Sequence, residues 1–237
     1  MKRIILILSL IIIAQTASAQ LFSKDKIQNN QNIDKDKWSW GYFLGFNSYD
    51  FNIDYKQDLK DIQTIKTAGF SVGLIGNMRI NEFLDLRLEP GLFISRRDLN
   101  YDESYFDGLS FNGSDLIREV RSTYIHFPLL LKISTKRVNN IKPFIVGGFS
   151  TALNLSSNQD NPDDNSNGQF RTKKGVLFYE LGAGIDIYLP WFKFTPSVRG
   201  IFAINDELVR DSDPNSPWTS NIVSMKTRGL FINFTFQ

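Results

Sequence analysis

The chain has 237 residues, of which 42% are hydrophobic and 22% charged, enough for one large domain or two small ones. It contains no cysteine, which excludes disulfides, thiolate metal sites, cysteine nucleophiles and cysteine-linked lipid anchors. Its single histidine, His126, leaves no paired-histidine zinc motif. We therefore expect neither a metal site nor a bound cofactor.

The N-terminus has the form of a bacterial export signal. Lys2 and Arg3 precede an apolar run at 4–14, and Ala17-Ser18-Ala19 offers small residues for cleavage. A membrane-anchor helix is the alternative, but the run is well short of the roughly 20 residues that a span requires. We predict a signal peptide at residues 1–19 and a polar periplasmic tail at residues 20–37.

Removal of this signal changes the charge balance. The 27 basic residues fall to 25 with the loss of Lys2 and Arg3, and so equal the 25 acidic residues. The isoelectric point of about 8.7 therefore reflects the signal and does not indicate a polyanionic partner. We expect no nucleic-acid partner.

Beyond the signal, hydrophobic residues alternate with a period of two, which is typical of β-strands. The first predicted strand, 38–47, places large apolar residues on its even positions, from Trp38 to Phe46. The second and third, at 68–80 and 84–95, do the same. In the third strand the opposite face carries three charged residues, Asp85, Arg87 and Glu89.

Five more strands follow in the sequence. They are predicted at 121–133, 141–153, 175–189, 192–205 and from about 223 to the C-terminus. The strand at 141–153 is apolar on both faces, so the pattern does not fix its register. In the last strand, Leu230, Ile232, Phe234 and Phe236 share one face, and either a packed protein layer or lipid must cover it.

The lengths of the connections favour a membrane barrel. Short turns near residues 81–83, 134–140 and 189–191 alternate with connections of about twenty residues at 48–67, 96–120, 155–174 and 205–222. Outer-membrane barrels have an even number of strands, short periplasmic turns and long outer loops. We predict an all-β fold for residues 38–237, an eight-stranded antiparallel up-and-down transmembrane β-barrel with four long outer loops.

A soluble lipocalin-like barrel is the alternative fold, because it also has eight strands. Parity alone does not tell which face points inward. The positions of aromatic residues favour the membrane barrel, because these residues cluster near the predicted periplasmic ends as in an interfacial girdle. They are Trp38, Trp40, Tyr42, Tyr188, Trp191 and Phe192.

The last strand also indicates how the barrel is assembled. We expect it to pair with the first strand and close the cylinder. Gly229, Ile232, Phe234 and Phe236 are similar to the C-terminal signal read by the outer-membrane assembly machinery, although Gln237 follows the final aromatic residue. We therefore expect outer-membrane lipid and this machinery as partners.

The polar face should point into the barrel, where charged groups must pair. Folding the second and third strands about Glu82 sets Arg79 opposite Asp85. Folding the sixth and seventh between Leu189 and Pro190 sets Asp186 opposite Lys193 and Glu180 opposite Arg199. We predict a structural ion-pair network, with a gated polar path as the alternative. Its members are Arg79, Asp85, Arg87, Glu89, His126, Lys132, Glu180, Asp186, Lys193 and Arg199.

No catalytic site is predicted. His126 beside a Ser or Glu could serve as a hydrolase base, but parity places it in the lumen rather than toward lipid. Asp163, Asn165, Asn167 and Gly168 imitate the start of a calcium loop, yet Lys174 stands where the bidentate Glu is required. We expect a solvated outer loop there.

The segment 122-STYIHFPLLLKISTKRVNNIKPFIVGG-148 resembles the signature of Bacteroidetes outer-membrane β-barrel proteins, and within them the PorT family. The matching residues run from Tyr124 through Pro128 to Lys132, and His126 stands at a position that is often acidic in the family. The resemblance implies a non-enzymatic part in the type IX protein secretion system, which supports gliding motility in some relatives, and contacts with its components. It carries over no catalytic residues.

Two functional hypotheses result. One is an accessory barrel of the secretion machinery, acting through its loops, its turns or the tail at 20–37. The other is a general surface barrel, an adhesin or a small-solute channel. Loss of secretion on deletion would support the first hypothesis, and altered permeability or adhesion with normal secretion would support the second.

Overall fold

The computed structural model describes residues 28–161, 165 and 170–237, so the predicted signal peptide lies outside it. Within these ranges the chain forms ten strands and one short 3-10 helix, Glu103–Phe106. No helix in the described ranges has the length and apolarity to cross a membrane. The strands are β1 (Trp38–Tyr55), β2 (Gln63–Lys66), β3 (Ala68–Arg79), β4 (Leu84–Leu88), β5 (Gly91–Asn100), β6 (Ile117–Ser134), β7 (Ile141–Asn154), β8 (Gly175–Tyr188), β9 (Lys193–Ala203) and β10 (Ile222–Phe236).

All strand pairs are antiparallel, and their pairings run right round the sheet. Sequential neighbours pair from β6 to β10, and β10 pairs with β1, as predicted for the last and first strands. β1 also pairs with β3, and both β4 and β5 pair with β3 and β6. The up-and-down antiparallel barrel predicted from the alternation is therefore present.

The sheet contains ten strands rather than the predicted eight. The predicted third strand is split into β4 and β5 at Glu89 and Pro90, because proline has no backbone N–H to donate to a neighbour. β2 is an additional strand within the predicted first outer loop. Its register with β5 differs by one residue from that of β3, so Thr67 lies at a bulge between them.

Three strands extend further outward than predicted. β1 continues to Tyr55, β5 to Asn100, and β6 begins at Ile117. The first two outer connections are therefore shorter than predicted, at 56–62 and 101–116, whereas the last two, at 155–174 and 204–221, keep their predicted lengths.

The orientation of the two faces is confirmed. Outward apolar side chains are widely exposed, including Leu74 at 65%, Phe149 at 68% and Leu181 at 65%. Arg87, Glu180 and Arg199 are only 2–4% exposed, and they point into the barrel. In a soluble barrel the apolar face would be the buried one, so this arrangement favours lipid outside.

The girdle prediction is right for five of its six residues. Trp40 and Trp191 are 72% and 90% exposed, and Trp38, Tyr42 and Phe192 are exposed as well. The prediction is wrong for Tyr188, which is 1% exposed and points inward, where its hydroxyl donates to Asp34 Oδ2 at 2.5 Å.

One hairpin register is confirmed and one is wrong. Arg79 pairs with Asp85 as predicted. In the β8–β9 hairpin, however, Tyr188 pairs with Lys193 and Gly182 with Arg199, so the predicted pairing is displaced by two residues. The turn centres on Pro190 and Trp191, with Leu189 N donating to Phe192 O at 3.0 Å. Proline suits the first central position of such a turn and is disfavoured at the second.

Candidate functional site

The barrel interior contains a charged cluster near the end that carries the short turns, which we call the turn-side network. Its members are Arg87, Glu89, His126, Lys132, Glu180, Asp186 and Arg199, all from the predicted set, and all are less than 5% exposed. They come from β4, the β4–β5 break, β6, β8 and β9. The alternation of period two explains why side chains from different strands meet here.

Arg199 links two carboxylates at the centre of this network. Its Nη1 lies 2.7 Å from Glu89 Oε2, and its Nε lies 2.9 Å from Glu180 Oε2. Arg87 Nε lies 3.3 Å from Glu89 Oε1. Glu180 therefore meets Arg199 diagonally, even though the predicted direct pairing of these two residues is wrong.

A second group of the network surrounds Asp186. Lys132 Nζ lies 2.5 Å from its Oδ2, and Thr195 Oγ1 donates to its Oδ1 at 2.8 Å. The Lys132 ammonium also lies 4.2 Å from the Phe144 ring centroid. Asp186 thus has a cation and a hydroxyl as partners. Lys193, its predicted cross-strand partner, instead pairs with Tyr188.

The remaining predicted residues lie at the turn-side mouth. Arg79, Asp85 and Lys193 line a small polar cavity together with Asp34, Lys142 and neighbouring groups. Although Arg79 and Asp85 face each other across β3 and β4, no ion pair within 4 Å joins them in the described part of the chain. Instead, Arg79 Nε donates to Asn81 O at 3.3 Å.

His126 lies beside Ser150 and Glu180, a combination that resembles a hydrolase site by composition only. Ser150 Oγ is 3.0 Å and Glu180 Oε1 is 3.5 Å from the same ring nitrogen, Nε2. A triad requires the acid and the nucleophile on opposite nitrogens. All three residues are buried inside the barrel at 0–5% exposure. The arrangement therefore serves as an internal hydrogen-bonding group, and no substrate can reach it in this conformation.

Outward of the network, apolar side chains fill the barrel in what we call the mid-barrel layer. Its members are Phe43, Tyr49, Ile75, Phe93, Tyr124, Ala152, Val176, Phe178, Ile201, Ala203 and Phe231. They come from β1, β3 and each strand from β5 to β10, so every wall contributes. Ring centroids of Phe93 and Phe231 lie 4.8 Å apart, and those of Phe93 and His126 lie 5.1 Å apart. The prediction that the inward face is polar is thus wrong at this level.

Two buried charged residues lie at the outer side of this layer. Arg97 donates to Thr227 Oγ1 at 3.0 Å and to Ser122 Oγ at 2.9 Å, and its guanidinium lies 3.8 Å from the Phe51 ring centroid. Glu207, from the connection after β9, accepts from Thr227 N at 2.8 Å. Burial raises the pKa of the Glu207 carboxyl above its ordinary value, and nearby Arg97 opposes that rise.

The outer connections and strand ends pack into a separate apolar cluster, the outer cap. Its buried members are Phe51, Ile62, Leu99, Tyr101, Tyr105, Phe106, Val120, Phe170, Leu208, Ile222 and Met225. Tyr101 Oη donates to Trp218 O at 3.0 Å, and the Arg118 guanidinium lies 4.2 Å from the Trp218 ring centroid. The cap therefore joins connections that are far apart in sequence.

The solvated loop predicted at residues 163–168 is wrong for Asn165, which is 0% exposed. Asn165 N donates to Asp211 Oδ1 at 3.1 Å, its Oδ1 accepts from Arg171 N at 2.8 Å, and its carbonyl accepts from Arg118 Nε at 2.6 Å. Asn165 thus joins three cap segments through hydrogen bonds. Asp163, Asn167 and Gly168 lie outside the described residues. Among the described residues, no cluster of three or more His, Asp or Glu side chains could hold a metal ion.

The described part of the predicted tail, residues 28–37, lies against the turn-side end. Asn29 N donates to Asn140 Oδ1 at 2.9 Å, and Asn29 Nδ2 donates to Tyr188 O at 3.1 Å. Arg137 also donates to Asn29 O, and its guanidinium lies 3.7 Å from the Tyr188 ring centroid. The tail therefore contacts the β6–β7 turn and the end of β8.

A family model described as "Outer membrane protein beta-barrel domain" matches residues 14–209 of this chain. The chain belongs to this family. Together with the outward apolar face, the match identifies an integral protein of the outer membrane. No curated protein matches the sequence.

Several solved outer-membrane proteins are similar to this family member. OprG from Pseudomonas aeruginosa shares 14% identity over 83% of this chain and 94% of its own, with a TM-score of 0.47. Neisserial surface protein A shares 10% identity over 84% of this chain and 98% of its own, with a TM-score of 0.44. Ail of Yersinia pestis was solved with the heparin analogue sucrose octasulfate. It shares 12% identity over 85% of this chain and 99% of its own, with a TM-score of 0.38.

Sequence reasoning missed several interior residues of this outer-membrane barrel. Arg97 and Arg118 are fully buried, yet the sequence places both in a predicted outer loop. Glu207 and Asp211 lie in a polar connection with no periodic signal. For Arg97 a signal was available, because it lies two residues beyond the end of the predicted third strand and shares the inward parity of Arg87 and Glu89.

Proposed function

We propose that this outer-membrane barrel is a non-conducting component of the type IX secretion machinery that acts through protein contacts. We further propose that its ten strands cross the membrane as eight spans. β4 and β5 keep one register with β6 across their break, and β2 extends β3 beyond the apolar belt.

The observation that carries the non-conducting role is the mid-barrel layer. Side chains from every wall meet there, and six of them are Phe or Tyr. An eight-stranded barrel has an interior just wide enough for side chains to fill. The turn-side network lies directly below this layer, with His126 touching both levels. Conduction would require both levels to rearrange.

The type IX assignment is supported by the resemblance of residues 122–148. This segment forms most of β6 and the first half of β7 and contains the turn between them. Within it, Arg137 and Asn140 bind the tail through Asn29. The family-like segment therefore contributes to the turn-side end, which under this proposal is the periplasmic side from which secretion substrates arrive.

Two measurements test the proposal. Deletion should abolish export of type IX substrates to the medium, and the parental gene should restore it. Purified barrel in planar bilayers should give no steady channel conductance. Normal secretion after deletion would refute the secretion role, and regular conductance steps would refute the closed interior.

The second candidate function is a surface adhesin, which the outer cap favours. The cap has its own apolar core, and beside it lies a polar groove of about 360 Å³ lined by Gln57, Tyr105, Asn215 and Asn221, among others. Disruption of the cap with Trp218→Ala should impair surface binding if this function is the right one. Disruption of the periplasmic turn with Arg137→Ala should instead impair secretion under the first proposal.

A further inference from the structure

The outward face of β10 changes character abruptly toward the outer end. Phe234, Ile232 and Leu230 are apolar, and the next two outward positions are Arg228 and Lys226. Two residues along a strand correspond to about 7 Å. In an outer-membrane protein, the step from apolar to cationic side chains marks the level at which lipid headgroups begin.

A groove of about 530 Å³ lies beside these two cations, and we call it the rim groove. It exists because β9 ends at Ala203, whereas β10 continues outward to Ile222. One side is polar, with Asn52, Lys226 and Arg228, and the other side is apolar, with Tyr179, Phe202 and Ile204. The Tyr179 and Phe202 rings are stacked, with centroids 5.0 Å apart.

The cations at this groove exceed the local carboxylates. Arg228 Nη2 and Lys66 Nζ each lie 2.9 Å from Asp50 Oδ2, so a single carboxylate has two cationic partners. Lys226 has no ion pair or hydrogen bond with any described residue. Asp54, further outward, accepts a hydrogen bond from Ser224 at 2.5 Å. The groove is therefore positively charged beside an apolar shelf.

A second charged patch on the same rim shows a different balance. Arg96 and Arg121 face each other across β5 and β6, next to the facing pair Asp98 and Glu119. Arg96 contacts both acids, and Arg121 pairs with Glu119. Two cations and two carboxylates cancel in this patch, which makes it a natural control for charge at the rim.

We propose that the rim groove binds a phosphorylated lipid of the outer leaflet. Lys226 and Arg228 would hold the phosphate, and the acyl chain would lie against Phe202 and Tyr179. The combination of unbalanced positive charge and an apolar shelf fits an amphipathic anion better than a free anion, which would use only the polar side. Basic groups near an anionic membrane surface contribute about 1 kcal/mol each, or roughly fivefold in affinity.

Native mass spectrometry of the folded, signal-free protein in detergent tests this proposal. Dioleoyl phosphatidic acid is the probe, and dioleoylglycerol is the matched lipid without phosphate. Lys226→Gln should weaken phosphatidic acid binding about fivefold. Arg228→Gln combined with Lys226→Gln should weaken it on the order of twentyfold. Arg121→Gln removes a rim charge that is more exposed than Lys226 and should leave binding unchanged.

Three outcomes would overturn the proposal. Equal losses in Lys226→Gln and Arg121→Gln would show a general effect of surface charge. Equal binding of dioleoylglycerol would show that the phosphate is not recognised. Displacement of the lipid by an equal concentration of inorganic phosphate would identify a free-phosphate site instead. Heat modifiability on gels checks that every variant is folded.

Discussion

The turn-side network and the outer cap are both buried interiors, but they are held together by opposite means. The network consists of ion pairs, such as Arg199 between Glu89 and Glu180. The cap consists mainly of apolar side chains, such as Phe106 and Leu99, with Arg118 buried against Trp218. Charges therefore fill one end of the barrel and hydrocarbon side chains fill the other.

The solvent outside the wall explains this difference. At the level of the network, lipid covers the outer face, so the apolar residues of each strand point outward and polar ones point in. Beyond the membrane, water covers the outer face and the pattern inverts. On β1, Tyr49 and Phe51 point inward, whereas Asp50 and Asn52 point outward. Along this one strand, the apolar residues therefore point outward within the membrane and inward beyond it.

The largest expected effect comes from breaking the network at its centre. Arg199→Met leaves Glu180 and part of Glu89 without a cation, and an uncompensated buried charge costs about 3–5 kcal/mol. Urea unfolding in lipid vesicles should show this loss in the free energy of unfolding. Adding Glu180→Gln should recover part of it, because the variant no longer buries an unpaired carboxylate.

The matched control is Arg121→Met, since Arg121 is paired but exposed at the rim. Exposed ion pairs contribute about 0–1 kcal/mol, so this variant should unfold nearly as the parent does. Equal destabilisation by Arg199→Met and Arg121→Met would show that the network contributes no more than a surface pair.

The next effect concerns the cap alone. Phe106 is 3% exposed and contacts Trp218, with ring centroids 5.8 Å apart. Phe106→Ala should cost about 3–5 kcal/mol of local cap stability by leaving a cavity. Limited proteolysis should then cleave the connection at 101–116, while the urea midpoint of the barrel stays close to the parental value.

Leu109→Ala is the control for this experiment, because Leu109 lies in the same connection and is 53% exposed. It should leave proteolysis unchanged. If Phe106→Ala lowered the urea midpoint as much as it increased cleavage, cap and barrel would unfold as one unit, and the contrast between them would not hold for stability.

These two regions also differ in how well the sequence predicts them. The alternation of apolar and charged residues predicts the membrane-level strands and the seven network residues, because this alternation is visible along each strand separately. The hairpin at Glu82 is correctly registered. The one at Pro190 is displaced by two residues, because proline prefers the first central position of a turn and the predicted register places it at the second. Tyr188 lies close to a turn, as girdle residues do, but its parity along β8 directs it inward.

The cap could not be predicted in the same way. Its contacts join distant segments, such as Arg118 with Asn165 and Tyr101 with Trp218, and no periodic pattern records them. The outer ends of β1, β5 and β6 fall in predicted loops, because most of their apolar residues occupy the opposite parity to those of the membrane-level wall. An inversion of the apolar parity at the headgroup level predicts these outer ends, as Tyr49 and Phe51 on β1 illustrate.

A smaller effect is expected in the mid-barrel layer, between the two regions. A Cβ on Gly73 would lie 2.4 Å from Phe43 Cε1 and 2.4 Å from Pro90 O. Gly73→Ala should therefore overpack the layer and cost about 1–3 kcal/mol in urea unfolding. Gly175→Ala is the control, because a Cβ there meets nothing within 4 Å. Equal stability of the two variants would show that the layer adapts freely.

The smallest effect lies at the surface of the cap, where ion pairing can be compared directly with that of the network. Lys60 Nζ lies 2.7 Å from Asp102 Oδ2, and Asp102 Oδ1 accepts from Ser104 N at 3.2 Å at the start of the 3-10 helix. The hydrogen bond from Lys60 lowers the pKa of the Asp102 carboxyl below its ordinary value of 3.8. The ion pair between Lys60 and Asp102 therefore stabilises the folded cap at neutral pH. This stabilisation is lost as the pH falls from 3.8 through the lowered pKa of the folded state.

An NMR titration of the Asp102 carboxyl should show this directly. Lys60→Ala should raise the pKa of Asp102 toward 3.8, and Lys136→Ala, at the opposite end of the barrel, should leave it unchanged. Because Lys60 is largely exposed, added salt should screen the shift in the parent. If the pKa of Asp102 changed neither in Lys60→Ala nor with added salt, the backbone N–H of Ser104 alone would stabilise the carboxylate. The ion pair with Lys60 would then contribute nothing to the cap.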